Sequence, residues 1–179
     1  MNITIATSIQ YGNYKHILPA AKSLTMMIQK YCFRIKGELK WSPDLKVVIR
    51  PIKGNISGRA ITRDGICKSI EVDPRRMFNA REVLETVFHE LVHCDQHETE
   101  RMRFFKEDRR WMREYEGVVY NNDLYRSSSN YDNYYNSPWE VEARAVAKEL
   151  IDKHWVDSDQ EKYFGGANKD LTRKVYPSY

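Results

Sequence analysis

An α+β domain is the fold this sequence predicts, and three observations carry it. Residues 16–33 place Ile17, Ala20, Ala21, Leu24, Met27, Ile28 and Tyr31 at helical spacing. Residues 45–72 are rich in β-branched side chains and are broken by Gly54-Asn55 and Asp64-Gly65. Residues 79–97 and 137–155 return to a helical period, each behind a start signal. Strands gathered between helices, rather than alternating with them, predict a small, mostly antiparallel sheet packed on helices. At 179 residues the chain is long enough for one domain with its own core and short for two.

Each element has a local reason. Pro19 fits the first helix only within its first turn, where a missing N–H costs nothing. Three strands follow, over residues 45–52, 58–62 and 66–72, ending at Asp73-Pro74. Asp64-Gly65 between the last two is a hairpin signal. The second helix opens at Asn79, with Glu82 three residues on at capping-box spacing and Phe78 and Val83 as a hydrophobic staple. It runs through at least His97.

From Glu98 to Glu116 there is no Gly or Pro, and six basic residues stand against six acidic ones. Such a balance reads as a solvated helix laced with local ion pairs, which Met102, Phe105, Trp111, Met112 and Tyr115 pack onto the body. Residues 121–136 are rich in Asn, Ser and Tyr and read as a surface loop whose tyrosines could lid a cleft or donate to an oxyanion. The last helix starts at Ser137-Pro138-Trp139-Glu140, with Ser137 as cap, Pro138 first in the helix and Glu140 closing a second capping box. It extends to about Trp155, and residues 157–179 read as an irregular tail. Together these make a single domain over 1–179 with a charged, Tyr-rich insertion at about 98–136.

Composition narrows the partners. A net charge of +4 does not indicate nucleic acid or an anionic membrane. No apolar run is long enough to span a bilayer, and the N-terminal residues show no secretory signal. Three cysteines without CxxC spacing argue against a disulfide framework and fit isolated thiols in a reducing, cytoplasmic setting.

The segment that carries chemistry is His89-Glu90-Leu91-Val92-His93. Residues four apart stand above one another on a helix, so His89 and His93 aim two imidazoles at one metal ion. Glu90 lies on the flank of that face, placed to take a proton from an attacking water; this is the mechanics of an HExxH zinc site. Leu84, Val87, Phe88, Leu91 and Val92 form the buried stripe of the same helix. Thr86, His89, His93 and Gln96 fall on the opposite side, and no Lys or Arg interrupts the run from Glu82 to Asp95. A catalytic zinc needs a third ligand. Cys94 is turned about a hundred degrees from His93 around the helix and reads as inert, and His97 has drifted off the line of His89. Glu140 and Glu142 remain, with His154 and Asp132 behind them. Glu140 is assigned to the capping box, so Glu142, at the shoulder of the stripe Trp139, Ala143, Val146 and Leu150, is preferred.

HELVH followed by Glu142-Ala143-Arg144-Ala145-Val146-Ala147-Lys148-Glu149-Leu150-Ile151 resembles the small zincin metallopeptidases with a Glu third ligand, of which the ImmA/IrrE-type peptidases of bacteria and phages are the nearest. The resemblance spans roughly residues 45–155. It implies a minimal zincin fold, Zn²⁺ on His89, His93 and Glu142, Glu90 as general base, and a sheet edge that holds a protein or peptide substrate extended. Arg144 departs from the Asn or Asp of that pattern, and 48 residues separate His93 from Glu142. The expected activity is a zinc-dependent peptidase in the cytoplasm of a bacterium or a phage-infected cell. The alternatives are a zincin-fold binding protein without turnover and a protease acting on nucleic-acid-associated proteins.

Overall fold

The structure is a computed structural model that describes residues 2–5, 18–54, 56–73, 77, 79–125 and 130–164. In chain order its elements are β1 (Asn2–Ile5), α1 (Leu18–Arg34), β2 (Lys46–Ile49), β3 (Gly58–Arg63), β4 (Ile66–Val72), α2 (Ala80–Glu98), β5 (Met102–Glu107), β6 (Arg110–Tyr115) and β7 (Val118–Asn121). A 3-10 turn (Asn122–Tyr125), α3 (Tyr131–Tyr135), α4 (Pro138–His154) and α5 (Ser158–Phe164) complete it. The α+β class is as expected. No described helix is long and apolar enough to cross a membrane.

The strands form a four-stranded sheet, ordered β1-β2-β4-β3, and a three-stranded sheet, ordered β5-β6-β7. In the first sheet β1 and β4 both flank β2 in parallel, and only β3 runs antiparallel, to β4. The antiparallel pairings come from that hairpin and from the whole second sheet. Asp64 and Gly65 turn the hairpin with φ of 53° and 73°, the left-handed pair that a two-residue turn needs. β1 is absent from the sequence expectation: four residues leave too short a pattern to read.

One core lies between the four-stranded sheet and the helices. Met27, Ile28 and Tyr31 of α1, Val47 and Ile49 of β2, Ile70 and Val72 of β4, and Leu84, Val87, Phe88 and Leu91 of α2 are all buried. Full burial of each such side chain stabilises by about 1.5–3 kcal/mol, so the stripe on α2 fixes that helix beneath the sheet. Asn79 caps it as expected, accepting the Glu82 N–H at 2.8 Å. The proposed staple partner Phe78 lies outside the described residues. Cys67 of β4 and Cys94 of α2 meet across this core with Cα atoms 5.2 Å apart, a separation that a disulfide spans. That corrects the expectation of three isolated thiols; Cys32 alone stands free.

The largest departure is the charged stretch after His97, which is not a helix but the hairpin β5–β6 continued into β7. Asp108 and Arg109 take φ of 46° and 67°, and Glu116 and Gly117 take 48° and 82°. Both pairs are left-handed turns that reverse the chain after six residues of strand. Arg103 pairs with Glu114 at 2.5 Å directly across the strands, a contact closed to a helix, where residues eleven apart stand about 16 Å from one another. Met102, Phe104, Tyr115, Arg113 and Tyr120 share one face of this sheet, and it closes over Trp139 of α4. The expected tail also begins with structure: α5 anchors to α1 through Asp159, which accepts hydrogen bonds from Lys30 at 2.5 Å and the Tyr31 hydroxyl at 2.6 Å.

Candidate metal centre

Three helices and two sheets meet at a cleft of about 1000 Å³, lined by β3, the polar side of α2, the inner face of β5–β6, α3 and the start of α4. His89 and His93 stand one turn apart on α2, and their Nε2 atoms approach to 3.2 Å. Glu140 of α4 faces both. One carboxylate oxygen lies 3.2 Å from His89 Nε2 and the other 3.2 Å from His93 Nε2. The two nitrogens stand at about the edge length of a tetrahedron, roughly 3.3 Å when metal–ligand bonds are about 2.0 Å, and one ligand atom from each of the three residues lies within 4.8 Å of the others. His89, His93 and Glu140 therefore form a group that could hold a metal ion.

The donors are also prepared chemically. Gln96 donates its amide N–H to the Trp139 carbonyl at 3.1 Å and to Glu142 at 2.7 Å. That fixes its oxygen toward His93 Nδ1, 2.8 Å away. Since the oxygen only accepts, Nδ1 carries a proton, and Nε2 is the atom that faces the centre and offers a lone pair whenever the ring is neutral. Burial alone would drive the His93 pKa down, but Glu140 and Glu90 outweigh it and carry it up to about 9. Burial likewise opposes the charged form of Glu140, and the two imidazoles hold its carboxyl well below the usual range. Without a cation, two imidazoles and a carboxylate contend for protons at one point; a divalent ion satisfies all three.

Glu90 lies beside that triangle, against β3. It is buried, and burial pushes its carboxyl above the usual range although His89 and His93 pull it back. The Ala60 N–H donates to it. Gly58 is required here: a Cβ at that position would stand 2.7 Å from Thr86 Cγ2 and 2.9 Å from Glu90 Oε1. Tyr134 of α3 reaches in from the other side and donates its hydroxyl to Glu140, and burial beside that carboxylate raises its phenol pKa.

Comparison of the chain with models of known protein families, with curated proteins and with solved structures finds no match in any of the three. The site is thus read from its own geometry.

That geometry brings together His89, Glu90 and His93 as the sequence places them, and it corrects the third partner. Glu142 does not face the histidines. It accepts from Arg101 at 2.5 Å, from Gln96 at 2.7 Å and from the Tyr115 hydroxyl. Burial works against its charge, but those three donors hold its carboxyl below the usual range. The reason for the correction is at the helix start. Ser137 precedes α4 yet makes no capping hydrogen bond; its hydroxyl donates instead to the Tyr134 carbonyl at 2.7 Å. Glu140 is therefore free of the capping box and turns to α2. The remaining candidates lie elsewhere: His154 sits 2.6 Å from Glu38, and Asp132 is exposed on α3. Gln96, on the same polar side of α2 as the histidines, was the visible clue to the positioning network. Tyr134 belongs to the Tyr-rich segment expected to reach a cleft, although nothing local marked Glu140 as its partner; Arg113 had no signal, because only the tertiary fold brings it to the cleft.

Proposed function

We propose that this chain is a zinc-dependent metallopeptidase of the minimal zincin kind, resembling the ImmA/IrrE-type peptidases, with His89, His93 and Glu140 as its ligands. The observation that carries the reading is the buried triangle of two imidazoles and one carboxylate with a second carboxylate, Glu90, beside it. Two nitrogens and one oxygen suit zinc, and three protein ligands leave the open position that separates a catalytic from a structural site. Zinc in such a site polarises a scissile carbonyl and acidifies the attacking water.

The chain's own residues supply the rest. Glu90 accepts the proton of the water and passes it to the leaving amine, and its raised pKa brings it nearer the range where both transfers are effective. Gln96 keeps His93 in the tautomer that binds. β3 stands at the edge of its sheet, and Gly58, Arg59, Ala60 and Thr62 line the cleft, which supports an extended peptide laid along that edge.

Glu90→Gln tests the assignment. The amide keeps the shape and cannot take the proton, so zinc content and melting temperature should match wild type while cleavage of a quenched peptide library falls by about 10²-fold or more. Equal cleavage by the two proteins would refute the role of Glu90.

A further inference from the structure

Arg113 is the charged group in the cleft that the peptidase chemistry leaves unused. It rises from β6, opposite Phe104 of β5 in the strand register. Its guanidinium lies 4.6 Å from the Phe104 ring centre and 4.2 Å from that of Trp139. Its Nε is buried without an acceptor. No described residue accepts a hydrogen bond from the guanidinium or stands in an ion pair with it, and the side chain lines the cleft. Every neighbouring arginine is otherwise engaged: Arg59 pairs with Glu71 at 2.7 Å, Arg101 with Glu142 at 2.5 Å, and Arg144 lies 3.6 Å from the Tyr135 ring centre.

A partly buried cation with no hydrogen-bonded anion is costly, and a planar fork packed against two rings is already oriented for a carboxylate. Glu140 is near enough for its charge to act on Arg113, but that carboxylate is directed at the two histidines. His97, also lining the cleft, is neutral at pH 7, since burial brings its pKa down to about 4, so it does not compete for an anion. Trp139, itself fully buried, excludes water on its side of the guanidinium, and a charge-assisted hydrogen bond is stronger there.

We propose that Arg113, clamped by Phe104 and Trp139, is the subsite for a carboxylate of the peptide substrate, so that the enzyme acts next to an acidic side chain or a free C-terminus. The inference rests on the peptidase reading for the word substrate, but its test does not depend on turnover.

The Nε–H resonance of Arg113, identified by its loss in Arg113→Lys, reports directly on the group. Zinc-loaded Glu90→Gln protein is titrated with three acetylated tetrapeptides: one with an internal Glu and an amidated end, its Gln counterpart, and an all-alanine peptide with a free C-terminus. One or both carboxylate peptides should shift the resonance and bind at least about tenfold tighter than the Gln peptide, a step set by the usual worth of a charged hydrogen bond. Which of the two does so tells side chain from terminus. Arg113→Gln should abolish the difference and leave binding of the Gln peptide unchanged. A resonance that no carboxylate peptide moves, or equal loss of all three peptides in Arg113→Gln, overturns the proposal. Cleavage by the Glu90-intact protein is scored separately. A carboxylate-dependent shift without cleavage defeats the peptidase reading and keeps the subsite, and cleavage indifferent to carboxylates does the reverse.

Discussion

Glu140 and Glu142 stand two residues apart on α4, about 200° around the helix, and the two sides of α4 do different work. The Glu140 side faces His89 and His93, with Tyr134 above it, and no Lys or Arg forms an ion pair with its carboxylate among the described residues. The Glu142 side meets a cation, a phenol and an amide, and its charge is neutralised within the protein. One carboxylate is thus left facing the two imidazoles of the group that could hold a metal ion, and the other uses its charge to hold the residue, Gln96, that aims His93. A carboxylate paired with an arginine is neutralised within the protein, while one facing only imidazoles can be taken up by a metal ion that displaces their protons.

The largest effect should come from Glu140→Ala. It removes the only anionic donor of the proposed zinc site and leaves two imidazoles and solvent to hold a dication, so zinc affinity should fall by more than about 10³-fold in a competitive chelator titration, beyond the roughly 10–100-fold usual for loss of an orienting partner. A small change would break the distinction between the two sides.

The next effect tests the buried environment on the Glu140 side through His97, which has no carboxylate partner among the described residues. Its folded pKa, about 4, lies below the ordinary 6.5. As pH falls from 6.5, the unfolded chain takes up a proton that the folded one refuses, so this contribution is complete above pH 6.5 and lost by pH 4. The span corresponds to about 3 kcal/mol at most. Urea unfolding of metal-free protein at pH 7 and pH 4.5 should show a smaller loss for His97→Gln than for wild type. Equal losses would mean that His97 is not held neutral.

Gln96→Leu and Glu142→Ala come third. Each spares the ligands and loosens His93, so zinc affinity should drop by about 10–100-fold, the usual worth of a residue that orients a metal-binding histidine. An effect as large as that of Glu140→Ala would return Glu142 to the ligand set. Smallest is Tyr134→Phe. Loss of one hydrogen bond to a charged acceptor costs about 1.5–3 kcal/mol at the carboxylate, partly recovered by the metal, and zinc affinity should fall less than tenfold.

What could be read from residues alone follows the range of the forces. α2 was legible because its cap, stripe and pair of histidines repeat within one helix. The β3–β4 hairpin was legible because Asp64-Gly65 names its own turn. The second sheet was not: alternating charge satisfies a strand pair as well as a helix face, and its turns use Asp108-Arg109 and Glu116-Gly117, of which only the second contains a glycine. The third ligand was missed for a related reason. Ser137-Pro138-Trp139-Glu140 is a proper capping sequence, but the pull of two imidazoles on α2 outweighs a cap worth about 0.5–2 kcal/mol, and no local pattern records that competition.

The central claim, a metal ion on His89, His93 and Glu140, is tested most directly by a crystal of the wild-type protein grown with zinc and measured on both sides of the zinc absorption edge. The account predicts one anomalous peak about 2.0–2.2 Å from His89 Nε2, His93 Nε2 and a carboxylate oxygen of Glu140, with Glu142 still paired to Arg101. A peak coordinated by Glu142, or no peak between the two histidines, would contradict it.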